Sequence, residues 1–126
     1  MVILVVGCAS GPDSLGDPNL DAGRDTYGQI CSSCHGGTGA GASAPPLISI
    51  LETFPDCDTH VQWVTLGSER WKEEVGPVYG APGKEITAIM PSFEAVLTDE
   101  EIRQVVAFER MRFGGGEMDA VLADCF

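Results

Sequence analysis

Residues 31–35 read Cys-Ser-Ser-Cys-His, and this C-x-x-C-H sequence constrains the chain more than any other feature. Two thiols and an imidazole this close together can bind zinc, form a redox-active dithiol or attach a haem. A structural zinc needs four ligands, and elsewhere the chain offers only His60, Cys57 and Cys125, with no second C-x-x-C. A thioredoxin-like dithiol needs a βαβ pattern, which is absent. The motif therefore predicts one covalent haem.

The chemistry of haem attachment explains the spacing of the motif. The thiols of Cys31 and Cys34 would add across the two vinyl groups of the porphyrin, so they must stand a fixed distance apart. His35 must then lie under the iron as its proximal ligand. One helical turn that ends in Cys-His meets both requirements, and the small side chains of Ser32 and Ser33 leave the porphyrin edge uncrowded.

The composition sets the size of the fold and excludes one class of partner. A chain of 126 residues is one domain, and 16 Gly with 8 Pro predict many loops. A net charge of −12 argues against nucleic acid as a partner, because phosphates would be repelled. The acidic surface favours a basic docking face on a protein partner, or it serves solubility alone.

Apolar residues recur at helical spacing in separate segments. One helix begins near Asp21, with Asn19 or Asp21 as its cap. A short helix over Asp58–Leu66 ends at Gly67. The segment 68–91 is mostly irregular, with Gly and Pro at intervals.

The last helix has the clearest signals. Thr98 and Glu101 form a capping box, and the helix stops at Phe113 before three glycines. No strand alternation is present. The pattern predicts an all-α, loop-rich domain.

The N-terminus resembles that of a bacterial lipoprotein. Val5-Val6-Gly7-Cys8 is similar to a lipobox, in which cleavage precedes a cysteine that receives a diacylglycerol. Residues 9–19 are rich in Gly, Pro, Ser and Asp and indicate a flexible tether. The expected division is a signal-peptide remnant over 1–7, a tether over 8–20 and a folded domain over 21–126. The alternative is an apolar tail with an unmodified thiol.

From Asp21 to Phe113 the sequence resembles the class I mono-haem cytochromes c. Gly23 and Tyr27 stand eight and four residues before Cys31, where the family has a Gly and an aromatic residue. Phe108 matches the aromatic residue of the last helix. The resemblance implies a cytochrome c fold, in which the N- and C-terminal helices cross around one covalent haem c and its iron.

The resemblance also implies the remaining haem contacts. A carbonyl of the loop after His35, that of Pro45 first and Pro46 second, accepts a hydrogen bond from the His35 ring. Met90, in a Met-Pro context upstream of the last helix, is the sixth iron ligand, and His60 is its rival. The longer segment 63–84 departs from the smallest family members.

Arg70 and Trp71 lie within this longer segment, and they could hydrogen-bond a haem propionate. The alternative is a surface arginine beside a packing tryptophan.

Cys57 and Cys125 remain after the other cysteines are assigned. A covalent haem forms on the oxidising side of a bacterial membrane, where thiols pair. With Cys8 lipidated and two cysteines on haem, these two are expected to form a disulfide. The alternative is two unpaired thiols.

These expectations define a function. With both axial positions filled by protein, the iron has no vacant site, which favours electron transfer over catalysis. We expect an extracytoplasmic, lipid-anchored carrier that moves single electrons between membrane redox complexes, with no small-molecule substrate. The alternatives are a fixed haem-relay subunit of a larger respiratory or dehydrogenase complex, a peroxidase, and a gas sensor that releases Met90.

Overall fold

The computed structural model describes residues 13–126, and helices dominate it. The predicted lipidation site Cys8 lies outside the described residues. Within the described part of the chain, no helix is long and apolar enough to cross a membrane. The elements in chain order are α1 (Pro18–Thr26), a π-helical turn (Tyr27–Cys31), α2 (Ser32–His35), α3 (Ile50–Thr53), α4 (Cys57–Glu74), β1 (Val78–Tyr79), β2 (Lys84–Glu85), α5 (Asp99–Arg112) and α6 (Met118–Cys125).

Helix α1 begins earlier than its sequence pattern predicts. The Asp17 carboxylate accepts hydrogen bonds from the backbone N–H groups of Asn19 and Leu20, and Pro18 occupies the first turn. Asp17, not Asn19 or Asp21, is therefore the cap. Asp21 instead accepts hydrogen bonds from the Ser14 hydroxyl and the Leu15 N–H, both at 2.7 Å. The last three residues of the predicted tether are thus helical.

Helices α1 and α5 cross in close contact, as the sequence predicts. A Cβ atom at Gly23 would lie 2.6 Å from the Gln104 carbonyl carbon and 2.9 Å from the Phe108 Cβ. Tyr27 packs beside the crossing, with its ring centroid 5.7 Å from that of Phe108. This crossing agrees with the expected all-α cytochrome c fold. It also fixes the direction of α1, and so the position of the C-x-x-C-H sequence that follows this helix.

The π-helical turn between α1 and α2 was not predicted. It spans Tyr27–Cys31 and leaves both of these residues buried. The Tyr27 hydroxyl donates a hydrogen bond to the Gly36 carbonyl at 2.6 Å, which ties this turn to the residues that follow His35. The C-x-x-C-H sequence is thus held at both ends.

Helix α4 consists of two helical halves joined by a kink at Gly67, so the helix predicted over Asp58–Leu66 does end there and a second, unpredicted half follows it. Asp56 caps its start. Gly67 has φ 71° and ψ 175°, and helical structure resumes after it as far as Glu74. The segment 68–91 therefore holds a second half of α4, followed by an antiparallel hairpin with Val78 opposite Glu85 and Tyr79 opposite Lys84.

The C-terminal end of the chain forms two helices. The predicted capping box is present at the start of α5, where Thr98 and Glu101 each bond the other's backbone N–H. Helix α6 was not predicted. Cys125 at its end forms a disulfide with Cys57 at the start of α4, with an S–S distance of 2.07 Å.

Candidate functional site

A cavity of about 300 Å³ opens between α2, the loop after it, α4 and the segment before α5. Its wall brings together residues far apart in sequence. The motif residues Cys31, Cys34 and His35 line it, as do Pro45, Pro46 and Met90. The rest of the wall is largely apolar, with Leu47, Phe54, Trp63 and Phe93 among its members. Such a wall suits a flat, apolar cofactor.

The orientation of the His35 ring is fixed by a proline carbonyl. The His35 Nδ1 lies 2.9 Å from the Pro45 oxygen. With the proton on Nδ1, the Nε2 lone pair is available to a metal. Pro46 lines the cavity, but its carbonyl is not the partner. The first of the two predicted prolines therefore makes the contact.

The two motif cysteines are unpaired thiols in different surroundings. Cys31 is buried and Cys34 is exposed. Burial, with further contributions from Glu109 and Cys34, raises the pKa of the Cys31 thiol to about 12. A reactive dithiol needs a lowered thiol pKa, so this environment argues against a redox nucleophile. Within residues 13–126, no three His, Cys, Asp or Glu side chains cluster as a metal site.

Met90 lies on the segment between β2 and α5, and its backbone is bonded to the bend in α4. The Ser68 N–H donates to the Met90 carbonyl at 2.9 Å, and the Met90 N–H donates to the Ser68 hydroxyl at 3.0 Å. The Met90 side chain is partly buried and lines the same cavity as His35.

His60, the rival ligand, is not among the residues of the cavity wall. Its side chain is 2% exposed, and its Nε2 lies 3.2 Å from the Glu109 Oε2. Its ring stacks on Phe54 at 5.1 Å. This buried pair joins α4 to α5 and leaves Met90 as the candidate.

Arg70 and Trp71 do not reach the cavity. The Arg70 guanidinium forms ion pairs with Glu94 and Glu74, and the Trp71 Nε1 donates to the Val78 carbonyl at 2.9 Å. Neither residue is among those that line the cavity, and their contact with a propionate stays a prediction. Lys84 is the lysine on the wall, and no motif in the sequence singled it out.

The crossed helices and this cavity define a cytochrome c domain. A family model described as cytochrome c oxidase, cbb3-type, subunit III matches residues 18–108, and the chain belongs to this family. The family establishes a covalent haem c with iron as the cofactor. Cys31, Cys34 and His35 on one apolar wall fit that cofactor.

Similarity to individual proteins is weaker. The chain is 23% identical to cytochrome cL from the marine methylotrophic bacterium Methylophaga aminisulfidivorans MPT, with a TM-score of 0.46. The match covers 77% of this chain and 55% of that structure. The sequence matches none of the curated proteins with which it was compared.

Proposed function

We propose that this protein carries single electrons through a low-spin haem c whose iron is held by His35 and Met90. The observation that carries the proposal is that both side chains line one cavity together with Cys31 and Cys34. When bound, haem supplies a one-electron Fe(III)/Fe(II) couple, and Met/His ligation raises its potential.

Different residues of the chain would attach the haem and orient its ligands. Cys31 and Cys34 would form the thioether links, and the Pro45 carbonyl keeps the His35 ring in one tautomer and orientation. Ser68 fixes the backbone of Met90. With His35 and Met90 both bound to the iron, no coordination site would be left for a small-molecule substrate.

Electron exchange would take place at the exposed side of the cavity, where Cys34 is accessible. A net charge of −12 favours a redox partner with a basic docking face. Electron-exchange rates with such a partner would fall as the salt concentration rises.

A membrane anchor at Cys8 completes the proposal, with the domain on the extracytoplasmic side. Because Asp21 already holds Ser14 and Leu15, a tether would lie between Cys8 and Asp13. Mass spectrometry of the native protein tests the anchor: added lipid mass on Cys8 is expected, and an unmodified Cys8 at the N-terminus would overturn it.

A fixed haem-relay subunit of a larger respiratory or dehydrogenase complex is the second candidate. The description of the family as a subunit of an oxidase favours it. So do exposed apolar side chains outside the cavity: Val75 is 49% exposed, Val78 43% and Phe126 50%. Exchange rates that do not change with ionic strength, together with co-purification in a stable complex, would favour this subunit over the free carrier.

The Met90 assignment is tested by Met90→Ala, with Met111→Ala on α5 as the matched control. The oxidised Met90→Ala protein should lose the weak near-infrared band of methionine bound to Fe(III), and the reduced protein should bind CO. Met111→Ala should keep the band. An unchanged spectrum in Met90→Ala would overturn the assignment. Acid-acetone treatment should leave the haem on the polypeptide, because the thioether links are covalent.

A further inference from the structure

The cavity wall has a single positive charge among the residues the structure describes. Lys84 is the only Lys or Arg that lines it, and no Asp or Glu does. The protein as a whole has 19 acidic and only 7 basic residues. Lys84 is exposed at the edge of this wall, where an ammonium group suits an anionic group of a cofactor whose apolar part lies inside the cavity.

The position of Lys84 is fixed by a buried threonine. Its Nζ donates a hydrogen bond to the Thr53 Oγ1 at 2.8 Å, and the Thr53 hydroxyl donates in turn to the Ser49 carbonyl at 3.1 Å. Thr53 is only 3% exposed and also lines the cavity. The Lys84 ammonium, which has three donors, can therefore bond Thr53 and still bond a second acceptor.

The hairpin that carries Lys84 is docked on the same threonine. The Ala81 N–H donates to the Thr53 carbonyl at 2.8 Å. A Cβ atom at Gly80 would lie 2.7 Å from the Thr53 Cγ2, so the hairpin approaches α3 closely. The register of the hairpin places Tyr79 opposite Lys84. Lys84 is thus held against the wall by backbone contacts as well as by its own side chain.

Two aromatic donors extend the polar part of the wall. Tyr79 and Trp63 line the cavity and stack on each other with ring centroids 4.4 Å apart. Burial raises the pKa of the Tyr79 hydroxyl, so this group stays protonated and able to donate. A phenol, an indole N–H and an ammonium on one side of a cavity suit carboxylate oxygens.

We propose that Lys84, positioned by Thr53, forms the binding site for the propionate carboxylates of the haem. The inference rests on the proposed function, because it requires haem in this cavity. It assigns to Lys84 the role that the sequence suggested for Arg70, which is engaged with glutamates on the surface.

The charge of Lys84 also affects the iron. A positive charge near the haem disfavours the extra positive charge of Fe(III), so it raises the reduction potential. Replacement by a neutral residue should stabilise the oxidised form. This electrostatic effect separates a propionate-binding role from a purely structural role in holding the hairpin.

The test compares Lys84→Gln with Lys72→Gln in the haem-loaded protein. Lys72 lies on α4, pairs with Glu69 and is not part of the cavity wall, so both variants lose one charge at different places. The ratio of reduced to oxidised protein is measured at the ambient potential where the natural protein is half reduced. At that potential we expect a ratio about threefold lower in Lys84→Gln. A tenfold change in this ratio corresponds to about 59 mV for one electron. Lys72→Gln should shift the ratio much less, and Lys84→Arg should restore it.

Equal shifts in Lys84→Gln and Lys72→Gln would overturn the inference, because they would show a general charge effect. The same holds if Lys84→Arg fails to restore the potential while the haem stays attached. Failure of the proposed function looks different: the unmodified protein would then lack covalent haem or the methionine band, whatever residue stands at position 84.

Discussion

Ser68 and Met90 bind each other reciprocally across 22 residues of sequence: each backbone is hydrogen-bonded to the other residue. Ser68 is fully buried, directly after the bend in α4. Its hydroxyl accepts from the Met90 N–H, and its own N–H donates to the Met90 carbonyl. The bend in α4 is thus a support for the segment that carries the proposed axial methionine.

Ser68→Ala removes the acceptor of the Met90 N–H. We expect a loss of about 1–3 kcal/mol in the free energy of unfolding, because a buried donor loses its partner. Imidazole should also displace Met90 from Fe(III) more easily, as followed by loss of the near-infrared band. Ser43→Ala makes the same chemical change at an exposed position on the cavity wall and serves as the control. Equal imidazole affinities in the two variants would contradict the supporting role.

Gly67→Ala tests the bend itself. Gly67 has φ 71°, and a Cβ atom there would lie 2.6 Å from the Met90 carbonyl oxygen and from the Ser92 nitrogen. Gly115 has a similar φ of 73° but nothing within 4 Å of its Cβ position. Gly115→Ala should therefore cost only the backbone strain, about 1–2 kcal/mol. Gly67→Ala should cost more in chemical denaturation and should also weaken the methionine band, and equal costs would refute the steric argument.

Local signals allowed much of the site to be predicted from the sequence. The C-x-x-C-H spacing, the Gly23 and Tyr27 pattern and the capping box at Thr98 each depend on neighbouring residues, so each is readable without a structure. The contact between His35 and Pro45 was also expected, because the loop after His35 resembles that of the class I cytochromes c.

The parts that were not predicted depend on contacts between distant segments. Lys84 looks like an ordinary surface lysine in the sequence, and only the docking of its hairpin on Thr53 brings it to the cavity. Gly67 does end the predicted helix, but no local signal showed that helical structure starts again directly after it, so that α4 continues to Glu74. Once α4 continues, Trp71 enters the core and Arg70 points to glutamates on the surface.

Gly23→Ala should disrupt the crossing of α1 and α5. The added methyl group would overlap the Gln104 carbonyl and the Phe108 side chain, and neither helix backbone can yield locally. A loss of about 3 kcal/mol in unfolding free energy is expected, at the upper end of the ~1–3 kcal/mol that overpacking typically costs, because the overlap is with backbone atoms. Gly28 has nothing within 4 Å of its Cβ position. Gly28→Ala should be neutral or stabilise by up to ~1 kcal/mol, and a similar loss in both variants would contradict the close crossing.

Removal of the Cys57–Cys125 disulfide should lower stability without affecting the haem. The bond closes a loop of 68 residues, and Asp124 beside it accepts a hydrogen bond from the Cys57 N–H at 2.8 Å. In the chain-entropy model, a loop of this length corresponds to about 4 kcal/mol. The double variant Cys57→Ala with Cys125→Ala should therefore unfold at lower denaturant concentration. Because neither cysteine lines the cavity, the near-infrared methionine band of the double variant should be unchanged. The natural protein treated with a reductant under denaturing conditions should match the variant, and an unchanged unfolding midpoint would show that the bond does not stabilise the fold.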